Sequence, residues 1–401
     1  MPKPILAINA YAWDLMAEGP ESSVESIRTL GCNRLLLSVT YRRARTFHPR
    51  HPTLRFCSHP HDYFDYTPDP SLYPEDFPLP PVNQESAEAH VVRRVRDACT
   101  AVNLRFSASI IGCHNSTIGY AEPALNIQNC YGDHYAFALC PSNPRVRQYL
   151  AALVEDVCRH THPDAILLDS FGYLQAVHRE HHELMFVRIG AAAEHLLSLC
   201  FCTHCRGMMS NPDRIAATCR RYLDTFLERE SSSEILDREE NAALLVEFPE
   251  LYAVERARRQ VCAELLETNR EITQKHGVEL DYITGLLARP SSRAWTEGNS
   301  LSSMASACDH VYLQSYFESI GQVEQDLRWG LANVPPEKLV LANMVGASHV
   351  QSEGDLISRV RLAAQAGLAG VSYYNYGLLN RRRLGWIRTA NRTFNTIDRW
   401  P

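Results

Sequence analysis

Three closely spaced cysteines are the residues whose types and spacing point most directly to chemistry. Cys200, Cys202 and Cys205 form a C-x-C-x2-C pattern within the run LCFCTHC. Three thiolates at this spacing can surround one tetrahedral metal ion, each at about 2.3 Å from it. The pattern predicts a metal site that takes its fourth ligand from elsewhere in the chain. The alternative is three unrelated structural cysteines.

Carboxyl groups near the predicted ends of strands are the second source of chemistry. Cleavage of a glycosidic bond needs two carboxyl groups about 5 to 10 Å apart, one of them held protonated. Asp169 ends an apolar run, where burial would raise its pKa, and we expect it to be the general acid or acid/base. Glu318 or Asp281 would be the nucleophile or base. Alternatively, Asp281 faces into the fold and Glu318 starts a helix.

A histidine-rich segment, HREHHE, begins at residue 178. On a helix, His178 and His182 would share one face. The segment matches neither H-E-x-x-H nor H-x-x-E-H, so a metalloprotease site is not indicated. We expect both histidines and Glu183 to position a sugar, with Glu183 a further candidate for a catalytic carboxylate. The alternatives are a second metal, which would make the chain a metal-dependent hydrolase or lyase, and a solvated polar segment.

Aromatic and polar residues follow several predicted strands, a mixture that suits carbohydrate. Aromatic faces stack on sugar rings while polar tips bond hydroxyl groups. Motifs of nucleotide-binding loops and of the serine-hydrolase elbow are missing from the sequence. The further candidates for substrate contact are Trp13, Tyr41, Arg42, His48, His114, Asn115, Tyr316 and Asn375.

Alternating strands and helices must position these side chains. Apolar runs, continuous as in strands buried on both faces, recur between amphipathic helical patterns. Eight such units predict a (β/α)8 TIM barrel, with a doubly wound open sheet as the alternative. The predicted strands are Ile5–Ala10, Arg34–Val39, Arg105–Ile111, Ala165–Asp169, Val278–Thr284, His310–Ser315, Leu339–Met344 and Gly370–Tyr374. The predicted helices include Ser23–Leu30, Ala87–Ala101, Pro144–His160, Ala253–Lys275, Val323–Leu331 and Asp355–Ala366.

Two stretches exceed what a minimal barrel requires, namely Tyr41–Gln84 after the second strand and Ser170–Gly277 after the fourth. In a barrel, both would lie at the carboxyl end of the strands, where active sites are built. We therefore expect one barrel domain over residues 1–401, with residues 170–277 as a helical, metal-containing insertion.

Composition narrows the class of protein. The 401 residues carry a net charge of −6, with 45% hydrophobic residues, which is ordinary for a globular domain and supplies no basic field for nucleic acid. No run of about 18 apolar residues predicts a membrane span, and the start does not read as a signal peptide. We expect a cytoplasmic location, where the 13 cysteines are reduced thiols or metal ligands. The expected partner is a small carbohydrate, with no nucleic acid and no membrane, and homo-oligomer formation stays open.

A longer pattern surrounds the cysteine cluster. Cys140 opens the run CPSNPRVR, which is followed by a predicted helix, by the strand ending at Asp169, and then by the cluster. This order resembles family 42 glycoside hydrolases, which are barrel β-galactosidases, over roughly residues 139–206. The resemblance implies that Cys140, Cys200, Cys202 and Cys205 hold a structural zinc ion. The CFCxxC element is also shared with bacterial barrel proteins of similar length.

The sequence departs from that family at the catalytic positions. The fourth strand of the family ends Asp-Asn-Glu, with the Glu as acid/base, whereas this chain has Asp169, Ser170 and Phe171. No acid follows the seventh strand, where the family has its nucleophile. We therefore predict a glycoside hydrolase for a small glycoside or oligosaccharide, using a different carboxyl pair. A non-catalytic sugar-binding barrel is the remaining alternative.

Overall fold

Eight parallel strands form a closed barrel in a computed structural model of the chain, which describes residues 3–177, 186–229, 243–285 and 289–397. The predicted (β/α)8 fold is confirmed, and each strand begins and ends within one residue of its predicted bounds. The strands are β1 (Ile5–Tyr11), β2 (Arg34–Ser38), β3 (Arg105–Ile111), β4 (Ala165–Asp169), β5 (Glu279–Ile283), β6 (His310–Gln314), β7 (Leu339–Met344) and β8 (Gly370–Tyr374).

Side chains alternate between the barrel interior and the surrounding helices, because successive residues of a strand point to opposite faces. In β4, Ile166 and Leu168 pack in the large core beneath the helices, whereas Leu167 packs inside the barrel. Asp169 shares the interior-facing parity of Leu167. It therefore stands at the top of the barrel interior, at the carboxyl end of the strands.

Helices cover the outside of the barrel. Five of the six predicted helices are present as single helices, and the predicted helix Ala87–Ala101 is divided into Gln84–Glu88 and Val91–Ala101 because His90 has a φ of 50°. Pro144 at the first helical position and the Asn143 side chain as cap begin the helix after β3, as expected from that sequence pair. The helices are α1 (Ala12–Glu18), α2 (Pro20–Thr29), α3 (Gln84–Glu88), α4 (Val91–Ala101), α5 (Ser116–Ala121), α6 (Pro144–Thr161), α7 (Ala191–Leu197), α8 (Thr203–Arg206), α9 (Pro212–Arg229), α10 (Pro249–His276), α11 (Leu301–Ala307), α12 (Ile320–Asn333), α13 (Glu353–Gln365) and α14 (Arg381–Thr396).

Three excursions leave the carboxyl ends of the strands. After β2, the chain forms two small antiparallel ribbons, Thr40–Tyr41 with Tyr63–Phe64 and Ala44–Phe47 with Phe56–His59. After β4, helices α7 to α10 precede β5. The third excursion, after β3, contains α5 and the hairpin of residues 126–139, which the sequence pattern did not reveal. No helix in the described ranges is long and apolar enough to cross a membrane.

Buried charges cross the barrel interior at its amino end. Arg34, the first residue of β2, donates to Asp281 Oδ2 at 2.7 Å and to Glu279 Oε2 at 2.9 Å. The other oxygen of Asp281 lies 2.9 Å from His310 Nδ1. The interpretation of Asp281 as an inward barrel residue is therefore correct. This placement does not support its assignment as nucleophile or base, because its carboxylate is bound by Arg34, the first residue of β2, toward the amino end of the barrel.

Candidate active site

Two carboxyl groups come together at the carboxyl end of the barrel. Asp169 ends β4, and Glu297 ends a 3-10 helix, Ser291–Glu297, that follows β5. A Cβ atom placed on Gly285 would lie 3.6 Å from Asp169 Oδ1 and 3.9 Å from Glu297 Oε2. These oxygens are therefore less than about 8 Å apart, which does not exceed the largest separation, about 9.5 Å, of glycosidase carboxyl pairs. The missing side chain at Gly285 leaves the space beside both carboxyl groups open.

Glu297 is held in a form that can donate a proton. The residue is 7% exposed, and no hydrogen bond or ion pair to its carboxyl group occurs within the described ranges. Burial raises the pKa of Glu297 to about 8; the charge of Arg289 opposes this, and that of Asp169 adds to it. A carboxyl group with this pKa is largely protonated at neutral pH, as a general acid must be.

Asp169 is better supplied with groups that favour its ionised form. Burial raises its pKa, while the Ser170 hydroxyl, 2.9 Å from Oδ1, and the charge of Arg42 lower it. Ser170 has a φ of 61°, in the left-handed region that costs a serine energy and is common at active sites. Backbone bonds from Gly112 N to Asp169 O and from Cys113 N to Ser170 O hold this turn, at 2.9 and 2.8 Å.

An aromatic wall forms the other side of the barrel mouth. The hydroxyls of Tyr11, Tyr41 and Tyr374 are mutually hydrogen-bonded, at 2.8 Å between Tyr11 and Tyr41 and 2.9 Å between Tyr41 and Tyr374. Trp13 stacks on Tyr11 with ring centroids 4.2 Å apart. The Tyr316 ring lies 6.1 Å from that of Tyr374. The predicted residues Trp13, Tyr41 and Tyr316 are thus brought to one wall.

Arg42 directly follows Tyr41 of this wall in the sequence. Its side chain is half-buried. Burial disfavours its charge, but nearby Tyr41, Tyr374 and Asp169 outweigh that effect and raise the pKa of Arg42. The structure therefore places the one predicted arginine beside the predicted strand-end aspartate.

Three other predicted contact residues have structural roles instead. His48 is fully buried, with Nδ1 2.7 Å from Asp14 Oδ1 and Nε2 2.6 Å from Thr46 Oγ1. Asn115 accepts from Ile118 N at 2.9 Å and caps α5. Asn375 accepts from the backbone N–H at residue 377, at 3.1 Å, and caps a short 3-10 helix. Asparagine is favoured at such caps because its side-chain oxygen satisfies a free backbone N–H.

His114 and Glu318 are placed apart from the carboxyl pair, and three further predicted residues lie outside the part of the chain that the structure describes. His114 is buried with its ring against the edge of Phe137, 6.0 Å between centroids. Glu318 is exposed on the loop between β6 and α12, where its charge affects His349 rather than Asp169. The placement of Glu318 does not support its assignment as nucleophile. His178, His182 and Glu183 lie outside the described residues.

Sequence reasoning missed Glu297 and Tyr11. Glu297 lies in the run RPSSRAWTEGNS, which has neither helical nor strand periodicity, so the pattern could not assign it to a strand end. The available signal was its position in the connection after the fifth strand, since such connections build barrel active sites. Tyr11 is the last residue of β1, one residue beyond the predicted end of that strand.

Four cysteine side chains converge away from the barrel mouth. Cys140 Sγ lies 3.5 Å from Cys205 Sγ, 3.6 Å from Cys202 Sγ and 3.7 Å from Cys200 Sγ. All four are buried, and the four sulfur atoms lie within 4.8 Å of one another. Tetrahedral bonds of about 2.3 Å would place sulfur atoms about 3.8 Å apart. The arrangement therefore has the size and donor set of a closed four-thiolate metal site.

Comparisons with known proteins show the fold. Neither a protein-family model nor a curated protein matches the sequence. Among solved structures, the PgaB (BpsB) glycoside hydrolase domain from Bordetella bronchiseptica aligns at a TM-score of 0.60 with 12% identity, over 97% of this chain and 99% of that one. A chitinase from Chromobacterium violaceum aligns at 0.51 with 10% identity, over 99% and 100%. The α-L-fucosidase isoenzyme 2 from Paenibacillus thiaminolyticus aligns at 0.54 with 10% identity, over 98% and 49%. The fold is a TIM barrel.

Proposed function

We propose that this chain is a glycoside hydrolase in which Glu297 is the proton donor and Asp169 is the nucleophile or base. The observation that carries the proposal is the pair of carboxyl groups at the barrel mouth, Glu297 buried and Asp169 half-buried, neither of which forms an ion pair within the described ranges. Placing a carboxyl group away from water without a bonded cation costs free energy. Such unpaired carboxyl groups are typical of active sites in which one group must stay protonated and the other ionised. This reverses the role expected for Asp169 from its strand-end position alone.

The chemistry follows from the two protonation states. Glu297 transfers its proton to the glycosidic oxygen as the bond from that oxygen to C1 breaks, and the leaving group departs as an alcohol. Asp169 either attacks C1 directly or takes a proton from a water molecule that attacks it. A separation below about 8 Å leaves room for either course. In the first course, ionised Glu297 then activates the water that releases the sugar from Asp169.

Independent features support a sugar as the substrate. Tyr41 and Tyr374 are half-buried aromatic residues with hydroxyl groups at the barrel mouth, a combination that carbohydrate sites use. The structures similar in fold are named as a glycoside hydrolase domain, a chitinase and a fucosidase. The resemblance to family 42 glycoside hydrolases between residues 139 and 206 agrees with these names.

We propose in addition that Cys140, Cys200, Cys202 and Cys205 hold a structural zinc ion. Four thiolates leave no open coordination position, so such an ion stabilises the fold and takes no part in the reaction. Tyr173 links this site to the carboxyl pair. Its hydroxyl bonds Ser142, two residues after Cys140, and its backbone N–H donates to Glu297 O at 2.9 Å. The metal site would thereby support the segment that carries the proton donor.

Turnover of a panel of aryl glycosides by three isosteric variants tests the catalytic proposal. Asp169→Asn and Glu297→Gln should each lower kcat/KM by about 10²- to 10⁴-fold, the usual contribution of a general acid or base. Glu318→Gln separates this pair from the assignment suggested by the sequence, and it should stay within about twofold of wild type, as expected for an exposed residue away from the reacting atoms. Loss of turnover in Glu318→Gln with full activity in Glu297→Gln would refute the pair. Sugar binding without turnover of any glycoside by the wild type would indicate a binding protein.

A further inference from the structure

Arg42 is a half-buried cation without a bonded acceptor. Within the described ranges, its guanidinium group has no hydrogen bond and no ion pair. The fully buried arginines of this protein behave differently. Arg34 donates to Asp281 and Glu279, Arg258 to Glu255 and the carbonyl of residue 296, and Arg359 to Asp355 and three carbonyls. Arg42 is only half-buried and its N–H donors have no acceptor among the described residues, so they can bind a ligand that replaces solvent.

Arg42 is not positioned to neutralise Asp169 through an ion pair. The charges of the two side chains influence each other, yet no ion-pair contact within 4.0 Å joins them. Where this protein uses an arginine to neutralise an aspartate, the atoms touch, as with Arg34 and Asp281 at 2.7 Å. Arg42 follows Tyr41 of the tyrosine wall and is close enough to Asp169 for the two charges to interact, and it keeps up to five N–H donors for a ligand.

We propose that Arg42 binds a carboxylate group on the sugar, so that the substrate is an acidic glycan containing a uronic acid or a similar sugar acid. This inference rests on the proposed function, because it assigns the substrate class of the same site. A planar carboxylate matches the guanidinium fork and forms two parallel charge-assisted bonds with it. The carboxylate would fill the acceptor position that the protein leaves empty, and it would set the sugar between Asp169 and the tyrosine wall.

Matched substrate pairs measure this preference directly. The probes are 4-nitrophenyl α- and β-glycosides of glucose and galactose and the corresponding glucuronides and galacturonides, which differ only in a carboxylate in place of a hydroxymethyl group. Wild type should cleave at least one uronide at least about tenfold more efficiently than its neutral partner, and Arg42→Ala should lower kcat/KM for that uronide by about 10- to 100-fold. The neutral glycosides should lose less kcat/KM than the uronide, since their hydroxymethyl group makes no charged bond. The ratio of kcat/KM for uronide to that for neutral glycoside is therefore the measured quantity, because an effect of Arg42 on Asp169 lowers both rates equally.

Two further variants separate charge from geometry. Arg42→Lys keeps the charge but loses the fork, so it should recover only part of the uronide preference. Arg45→Ala is the matched control, because Arg45 is an exposed arginine in the same excursion and its guanidinium group stacks on Phe56. This variant should prefer uronides over neutral glycosides to the same extent as wild type. An equal loss on charged and neutral substrates in Arg42→Ala would overturn the inference, and so would a wild type that cleaves only neutral glycosides.

Calorimetric titration with free glucuronate and galacturonate separates the inference from the proposed function. Binding of either acid to wild type and its loss in Arg42→Ala would support the acidic subsite even if no glycoside were cleaved. Cleavage of neutral glycosides without binding of either acid would leave the hydrolase proposal intact and overturn the subsite. Sulfated monosaccharides form the second arm, and their binding in place of the uronic acids would exclude a sugar carboxylate as the ligand.

Discussion

At the scale of single residues, the burial that keeps Glu297 protonated for its proposed role also lowers the stability of the folded protein at high pH. Its ordinary pKa of 4.5 rises to about 8 because burial disfavours its charged form. Folding therefore favours the protonated residue, and its contribution to stability is fully present below about pH 4.5 and is lost as the pH rises through about 8. A carboxyl group that served structure alone would be paired, as Asp281 is.

The variant Glu297→Gln should have a different pH dependence of stability from wild type. The amide cannot ionise, so the unfolding free energies of the two proteins should be similar near about pH 4.5 and diverge as the pH rises. Near about pH 9 the variant should be more stable by a few kcal/mol, at about 1.4 kcal/mol per pKa unit. Urea unfolding measured across this range tests the expectation. Parallel curves would mean that Glu297 does not hold a proton in the folded protein.

At the scale of elements, the cysteine cluster connects the hairpin region after β3 with the helical excursion after β4. These regions also contact each other where Phe201 N donates to Gln128 O at 2.6 Å and the Tyr135 hydroxyl donates to Leu197 O at 2.8 Å. Cys140 follows the hairpin after β3, Cys200 and Cys202 precede α8, and Cys205 lies within it. The helical part of the excursion has its own apolar core around Leu196, Leu223 and Leu251. A metal ion at the cysteines would fasten this excursion to the barrel, because its ligands come from both sides of β4 in the sequence.

Metal analysis tests this role. Wild type should retain about one zinc ion per chain, and Cys202→Ser should lose it together with several kcal/mol of stability, since a structural zinc contributes its binding energy to folding. Cys219→Ala is the control, because Cys219 is buried in α9 outside the cluster, and it should keep the metal. Metal-free wild type with unchanged thermal stability would contradict the proposal. A second bound metal required for turnover would favour the metal-dependent alternative.

At the scale of the whole molecule, buried charges join strands on opposite sides of the barrel. Arg34 of β2 reaches Asp281 of β5, strands that are not neighbours in the sheet order. Both side chains are at most 2% exposed. The pair therefore contributes to closure of the barrel at one end, while the reacting carboxyl groups occupy the other.

The variant Asp281→Asn should lower the unfolding free energy by about 3–5 kcal/mol, because it leaves a buried cation without its closest anion. In the fraction that remains folded, kcat should equal that of wild type, since Asp281 is remote from the proposed reacting atoms. Arg105→Ala removes a solvent-exposed contact with Glu279 and should cost less than about 1 kcal/mol. Denaturant unfolding measures the effect of each variant on stability, and single-turnover kinetics measure its effect on catalysis. Loss of kcat without loss of stability in Asp281→Asn would indicate that Asp281 takes part in the reaction.

Much of this protein follows from the sequence by itself. The eight strands and the six named helices could be placed because apolar periodicity acts over a few residues. Asp169 at the end of β4 and the spacing of the three clustered cysteines are equally local. Only the tertiary structure shows that Glu297 lies near Asp169, that Asp281 pairs with Arg34, and that Arg42 has no bonded acceptor among the described residues. Those outcomes depend on how the barrel closes and how its long excursions return to it, and such partnerships between distant residues leave no local pattern in the chain.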